Sequence, residues 1–145
     1  MEEVFIKIME ETAASMPELS LIDEDYGQLE MGAEEDSYPV TFPCVLIGNT
    51  ESTWSDIGTS YQKSNSTITV RLAMDCYDDT HYASGSYEKT RKRIRLAYKL
   101  HKALQGLRCS GNSTALTRVR SGSYTLPGLI KVYELTYAFR LVENR

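Results

Sequence analysis

The strongest constraint on the fold of this chain is an alternation of side-chain character in "STITVRLAMDCY", residues 66–77. Every second residue from Ile68 to Cys76 is apolar, and the residues between them are mostly polar. Successive side chains of a β-strand point to opposite faces, so this pattern predicts a strand with one face in a core and one face in water. The chain must therefore build a sheet that is covered on at least one side.

Three further segments have strand character. Residues 43–49, "PCVLIGN", form a short apolar run that predicts a buried strand, and the polar stretch after them predicts a long hairpin arm or a loop. Residues 113–126 and 129–142 predict two more strands, because Pro127-Gly128 between them is a typical tight-turn pair. The last strand is expected to supply the largest single part of the core.

Two segments have the three- and four-residue spacing of amphipathic helices. The first, residues 2–16, ends at Pro17 and has the apolar stripe Phe5, Ile8, Met9, Thr12 and Met16. The second, residues 86–107, has the stripe Thr90, Ile94, Ala97, Leu100, Leu104 and Leu107. Between the first helix and the strand at 43–49 lies an acidic, turn-rich connection, whose pieces "LSLI" and "GQLEM" can pair with the edge of the sheet.

The order of these elements predicts an α+β fold. Strands linked by hairpins give a mostly antiparallel sheet of about four strands, and both helices cover one face of it as a two-layer sandwich. The length of 145 residues predicts a single domain, residues 1–145. The acidic N-terminal stretch lacks the features of a signal peptide and no apolar run could span a membrane, so we expect cytoplasmic synthesis and no membrane contact.

Charge is distributed unevenly along the chain. Residues 1–40 carry 12 acidic side chains and one basic side chain, whereas residues 80–145 carry three acidic and 13 basic ones, within a net charge of −4. Such asymmetry indicates either a charged partner, which could be a second copy of the chain, or neutralisation of the two halves within one fold.

Enzyme chemistry has little support in the sequence. "DCYDDTH", residues 75–81, would need Asp75, Asp79 and His81 to converge with other ligands to hold a metal, and a strand-to-helix junction explains its aspartates more simply. The three cysteines are far apart and without a CxxC pair, which predicts reduced, mostly buried thiols. We expect no catalytic residues, no metal and no cofactor. His101 is expected to pack beside the core.

Two sets of residues are candidates for an interface. Arg91, Arg95, Lys99 and Lys102 run along one face of the second helix. That face is either solvated, or a phosphate-binding surface, or a dock for the acidic segment 1–40 of a neighbouring copy; the pI near 5.2 makes DNA binding the weaker hypothesis. Trp54 and Tyr61 belong to a chain rich in tyrosine, and exposed aromatic residues are enriched at protein interfaces, although they are also good strand formers.

The layout as a whole resembles a known family. A helix and an acidic loop precede "YPVTFPCVLIG"; an arm, a strand ending "VRLAMDCYD", a helix ending "LHKALQGL" and the hairpin "ALTRVRSGSYTLPGLIKVYELTYAFRL" follow. This order and its hydrophobic rhythm, over residues 2–142, are similar to those of the tail-completion or tail-terminator proteins, minor tail components of long-tailed phages and prophages.

The resemblance implies a structural protein without chemistry. Family members form a ring, typically hexameric, at the end of the tail tube, where they stop polymerisation and face the neck proteins of the head. The implied partners are other copies of the chain, the major tail-tube protein and head–tail connector proteins, and the implied location is the host cytoplasm during assembly and then the virion tail. The alternatives are a head–tail connector or neck protein, a small nucleic-acid-binding module that uses the basic helix, and a metal-dependent hydrolase built on "DCYDDTH".

Overall fold

The computed structural model describes residues 1–33, 38–76, 82 and 87–145. The described chain contains helices α1 (Glu2–Ser15) and α2 (Tyr87–Leu104), a short 3₁₀ helix (Gln28–Ala33), and strands β1 (Leu21–Glu24), β2 (Cys44–Ile57), β3 (Tyr61–Asp75), β4 (Thr117–Leu126) and β5 (Ile130–Asn144). The strands form one sheet in the order β1-β2-β3-β5-β4. The pair β1–β2 is parallel and the other three pairs are antiparallel.

Two hairpin turns and two register shifts, one between Gly48 and Thr50 and one between Arg118 and Arg120, set the register of the sheet. The β2–β3 turn contains Gly58 at φ 62°, and the β4–β5 turn contains Gly128 at φ 85° followed by Leu129 at φ 60°. Positive φ is easy for glycine and uncommon for other residues, so both turns depend on their glycines. A bulge between Gly48 and Thr50 shifts the β2–β3 register by one residue, so that even-numbered residues of β2 face the helices beyond it.

Both helices lie on one face of the sheet and close the larger hydrophobic cluster. The sheet contributes Val45, Ile47, Ile68, Val70, Leu72, Met74, Leu135, Tyr137, Phe139 and Leu141. Helix α1 contributes Val4 and Ile8, and helix α2 contributes Leu100 and Leu104. Burial of apolar surface in this cluster is the main source of stability, because each Å² removed from water contributes roughly 25 cal/mol.

The opposite face of the sheet is covered at one end only. The covering segment, residues 25–33 and 38–43, packs there over a second, smaller cluster of buried residues: Leu29, Cys44, Leu46, Ala73, Ile130 and Val132. Tyr38 joins this cluster, and its hydroxyl donates a 2.6 Å hydrogen bond to the Pro127 carbonyl. The segment approaches β2 so closely that a Cβ on Gly48 would lie 3.0 Å from the Asp25 Cβ.

The predicted α+β class, the mostly antiparallel sheet and the two helices on one face are confirmed. The sheet has a fifth strand, β1, of which "LSLI" supplies the first two residues, whereas "GQLEM" lies mainly in the 3₁₀ helix. The strand of residues 43–49 continues as an arm to Ile57, because β3 begins at Tyr61 and pairs with it throughout. None of the described helices is long and apolar enough to span a membrane.

Candidate assembly surfaces

The cationic residues predicted as an interface lie along the solvent face of α2. Arg91, Arg95, Lys99 and Lys102 are all exposed. The helix turns this face outward because Leu100 and Leu104, on the other side, are fully buried in the core. His101 and Lys102 stand in the last turn, where a positive charge interacts favourably with the helix dipole.

Two of the four cations are paired within the chain. Arg91 contacts the Glu88 carboxylate at 3.1 Å, one turn earlier on α2. Lys99 donates hydrogen bonds of 3.0 and 3.2 Å to the two carboxylate oxygens of Glu18, which lies just after α1. The hydrogen bond from Lys99 lowers the pKa of Glu18. The acidic and basic parts of the chain therefore neutralise each other in part, as one of the two hypotheses requires.

The other two cations have no carboxylate partner among the described residues. Lys102 places its Nζ 5.8 Å from the centre of the Tyr98 ring, a cation–π contact, and Arg95 projects from the same face. Since an exposed charge in water contributes little to stability, neither is explained by the fold of a single copy.

A groove separates α2 from the edge strand β4. It has a volume of about 320 Å³ and is lined by Ile94, Ala97, Tyr98, Arg118, Ser121, Gly122, Ser123, Tyr133 and Leu135. Ile94 is 54% exposed and Tyr98 59% exposed at its rim. The prediction that Ile94 belongs to the core stripe is therefore wrong. The small side chains of β4 leave the space beside Ile94 unfilled, so its side chain faces the open groove.

His101 of α2 contacts Tyr137, a buried residue of the core. Its Nδ1 lies 2.9 Å from the Tyr137 hydroxyl, and the two rings stack at 6.0 Å between centroids. Burial lowers the pKa of His101, and the positive charges of Arg118 and Lys102 lower it further. Burial also raises the pKa of Tyr137. The prediction that His101 packs beside the core is confirmed, and the contact is a neutral structural pair.

Trp54 and Tyr61 are both exposed, by 41% and 50%, but they do not form one patch. Trp54 pairs with Ser64, and its side chain points to the side of the sheet on which the helices lie. Tyr61 precedes Ser64 by three residues along the same strand, so it points to the opposite face, where Ile57 is its direct cross-strand neighbour. A single partner surface could contact both only by wrapping around the arm.

Helix α1 presents an acidic outer face. Glu2, Glu3 and Glu10 are exposed and surround Ile6, which is 46% exposed. None of these three carboxylates forms an ion pair with any described residue. The fourth acidic residue of the helix, Glu11, pairs with Lys7 at 3.4 Å.

A buried arginine holds the covering segment in place. Arg71 of β3 donates to both carboxylate oxygens of Asp25, at 2.7 and 2.9 Å, and to both of Glu30, at 2.6 and 3.1 Å. Its fifth N–H donates to the Tyr124 hydroxyl at 3.0 Å, which satisfies every donor of the guanidinium. Burial alone would lower the pKa of Arg71, but the hydrogen bonds to Glu30 and Asp25 outweigh it and raise the pKa.

The pattern of the sequence does not reveal this network, because Arg71 falls on the polar side of an alternating strand. The available signal was a single arginine between Val70 and Leu72, in a run whose other polar-face residues are short. Since Asp25 and Glu30 are occupied by Arg71, they are unavailable to a neighbouring copy. This removes part of the acidic segment 1–40 from the predicted interface.

The remaining chemical candidates give no site. Among the residues that the structure describes, no group of three or more His, Cys, Asp and Glu side chains could hold a metal ion. Of "DCYDDTH", residues 75–81, Asp75 ends β3, but residues 77–81, which include Asp79 and His81, lie outside the described residues, so the hypothesis stays untested. All three cysteines are free thiols; Cys44 is buried, whereas Cys76 and Cys109 are partly exposed. Burial raises the pKa of Cys44 and of Cys109 to about 11, so both are protonated at neutral pH.

The fold and its surfaces define an α+β protein with a groove and two oppositely charged helix faces. No protein-family model matches the chain, and no curated protein matches it. Solved structures do match, among them a chain in the virion of a native gene transfer agent (GTA) particle. That match has a TM-score of 0.61 at 13% sequence identity and covers 97% of this chain and 95% of the other. At this identity the similarity shows a shared fold.

Proposed function

We propose that this chain is a virion structural protein, and more narrowly a subunit of the ring that ends a phage tail tube and joins it to the head. The observation that carries the proposal is the fold shared with a virion chain over nearly the whole of both chains. A fold alone does not fix a function, so the proposal also rests on the resemblance of the sequence to tail-terminator proteins.

The surfaces of the chain suit an assembly role. Ring formation needs two different, complementary surfaces on each subunit, because its contacts are head-to-tail. Helix α1 carries unpaired carboxylates, and helix α2 carries Arg95 and Lys102 without carboxylate partners among the described residues. The proposed partners are further copies of the chain, the major tail-tube protein and head–tail connector proteins. The proposed location is the host cytoplasm during assembly and the virion tail afterwards.

Removal of the gene from its source DNA tests the proposal. We expect particles with overlong tails and heads that lack tails, because nothing ends the tube or presents a surface to the head. Electron microscopy measures tail length, and supplying the wild-type gene from a plasmid is the control. Mass spectrometry of purified wild-type particles should detect the chain.

The result separates the neighbouring roles. Tails of normal length that fail to join heads would indicate a neck or connector protein instead of a terminator. Normal particles without the gene, together with absence of the chain from wild-type particles, would contradict a virion role altogether.

A second candidate function is nucleic-acid binding through α2. The observation in its favour is that Arg95 and Lys102 are exposed on one face of α2 and that Lys102 and Arg118 both lie close enough to His101 to affect its charge, a set of cations that phosphate groups could neutralise. This function predicts that the chain binds duplex DNA and that salt weakens the binding. A plot of the logarithm of the binding constant against the logarithm of the salt concentration should have a slope of about −0.9 for each neutralised phosphate. Absence of binding at low salt would contradict it.

A further inference from the structure

We infer that the groove between α2 and β4 receives the acidic outer face of helix α1 from a second copy of this chain. The inference rests on the proposed ring and names the two surfaces that meet in it. It commits to a helix-in-groove contact in which an apolar anchor enters the groove and carboxylates face its cationic rim.

The chemistry of the groove favours an amphipathic acidic helix. Tyr133 and Leu135 line the groove beside Ala97, which makes it largely apolar. Arg118 lines the groove, and Lys102 lies over the ring of Tyr98 at its rim. Arg95 stands seven residues before Lys102, about two turns, on the same exposed face of α2. An occupant with an apolar centre and flanking carboxylates would fill the groove and neutralise these charges without leaving a buried charge unpaired.

Helix α1 has those properties on its solvent side. Ile6 and Ala13 are seven residues apart, or about two helical turns, so both stand on the same exposed stripe. Glu2, Glu3 and Glu10 flank that stripe. On α2 the groove is lined only by Ile94, Ala97 and Tyr98, about one helical turn, so it receives the Ile6 side chain as an anchor while the 14 residues of α1, about 21 Å long, extend over its rim.

Other acidic groups of the described chain are less suited to this role. Asp25 and Glu30 bind Arg71, and Glu18 binds Lys99. Those carboxylates already hold cations of their own chain, and releasing them would cost the contacts described above. Among the described residues, the outer face of α1, with Glu2, Glu3 and Glu10, is therefore the acidic surface chosen for this contact.

The positions of the two surfaces make the contact intermolecular and head-to-tail. Helix α1 packs on α2, β1 and β2, whereas the groove lies on the other flank of α2, over β4 and β5. Helix α2 stands between them, so a chain cannot fill its own groove with its own α1. Each copy offers one groove and one acidic helix, and repetition of such a heterologous contact closes a ring or continues as a filament.

Paired charge reversals test the contact in the full-length chain. Arg95→Glu/Lys102→Glu reverses the groove rim, and Glu3→Lys/Glu10→Lys reverses the helix face. All four residues are exposed and outside the core, so circular dichroism should show unchanged folding. Each variant alone should self-associate about tenfold or more weakly than the wild type in sedimentation at low salt, because like charges then face each other.

Mixing the two variants is the decisive step. The groove of the second variant and the helix of the first are both wild type, so the mixture should recover association that neither variant shows alone. The matched control for the groove variant is Lys63→Glu/Arg140→Glu, which makes the same change in net charge on the far face of the sheet. It should associate like the wild type.

A photo-crosslinking amino acid in place of Ile6 locates the contact directly. With a mixture of isotopically labelled and unlabelled chains, mass spectrometry should find crosslinks between copies to the residues around Ala97 and Tyr98. Association unaffected by both reversals, crosslinks elsewhere, or a wild-type chain that stays monomeric at millimolar concentration would overturn the inference. None of these would contradict the proposed virion role, which depends on the presence of the chain in particles and on the deletion phenotype.

Discussion

The two faces of the sheet are held by different forces. On the helix-covered face, two helices bury a continuous apolar cluster that includes Leu72, which is fully buried. On the opposite face, a segment with little regular structure is held by a small apolar cluster and by four hydrogen bonds from Arg71 to Asp25 and Glu30. Adjacent residues of one strand therefore depend on two kinds of interaction, one non-directional and one strictly geometric.

The helix-covered core and the covering segment should therefore respond differently to small structural shifts. Apolar burial tolerates small shifts, because its free energy follows the area removed from water. A buried guanidinium tolerates few such shifts, because each N–H donor must keep its acceptor within hydrogen-bonding distance. We therefore expect damage to the helix-covered face to unfold the whole chain, and damage to the Arg71 network to release the covering segment first.

The largest effect should come from Leu72→Ala. This substitution removes buried methyl groups at the centre of the larger cluster and leaves a cavity, so the free energy of unfolding should fall by about 4 kcal/mol. Urea denaturation followed by far-ultraviolet circular dichroism measures it. A loss below about 1 kcal/mol would show that the helix layer collapses to fill the space and that this face is less tightly packed than described.

A smaller loss of stability, about 3 kcal/mol, is expected for Arg71→Met. Asp25, whose side chain is 2% exposed, would keep a buried charge without its partner, whereas Glu30, at 60% exposure, could return to water. Hydrogen exchange should accelerate in the covering segment and stay unchanged in α1 and α2.

The control for this substitution is Arg71→Met combined with Asp25→Asn. It removes the unpaired charge and should recover part of the lost stability. Uniformly faster exchange in both helices of the single variant would contradict the separation of the two faces.

The smallest change in stability, and the only expected increase, is that of Thr12→Val. Thr12 of α1 is fully buried against the apolar cluster, and its hydroxyl has no hydrogen-bond partner among the described residues. Replacing the hydroxyl with a methyl group should raise the free energy of unfolding by about 1 kcal/mol. Thr12→Ser keeps the hydroxyl and loses a methyl group, so it should be less stable than the wild type. Equal stability of the two variants would mean that the hydroxyl is satisfied in solution.

Periodicity in the sequence was sufficient to predict the helix-covered face. The alternating residues from Ile68 to Met74 and the helix residues Leu100 and Leu104 all belong to one apolar cluster. Their spacing in the sequence therefore follows the period of the strand and of the helix that bury them. The failure at Ile94 has a physical cause. Spacing predicts which side of a helix is apolar, but it does not predict what that side contacts. Opposite Ile94, the small β4 residues Ser121 and Ser123 leave the groove open, so the apolar side of α2 is not buried there.

The other face could not be predicted in the same way. The contacts of Arg71 join residues 41 to 53 positions away in the chain, and no periodic pattern records such a pairing. Strand β1 has only four residues, too few for an alternation to stand out, and its parallel pairing depends on the same covering segment. Of the candidate interface residues, the shared face of the four α2 cations follows from their spacing, and Trp54 and Tyr61 were suggested only by the number of aromatic residues. The ion pairs of Arg91 and Lys99 required the fold.

The placement of Trp54 determines what optical experiments on this chain will report. It is the only tryptophan, and it stands on the arm, outside both hydrophobic clusters. Its emission will therefore follow the solvation of the arm, while far-ultraviolet dichroism follows the helices and the sheet. A tryptophan spectrum that shifts on self-association, without any change in dichroism, would make the arm an intrinsic probe of assembly that needs no added dye.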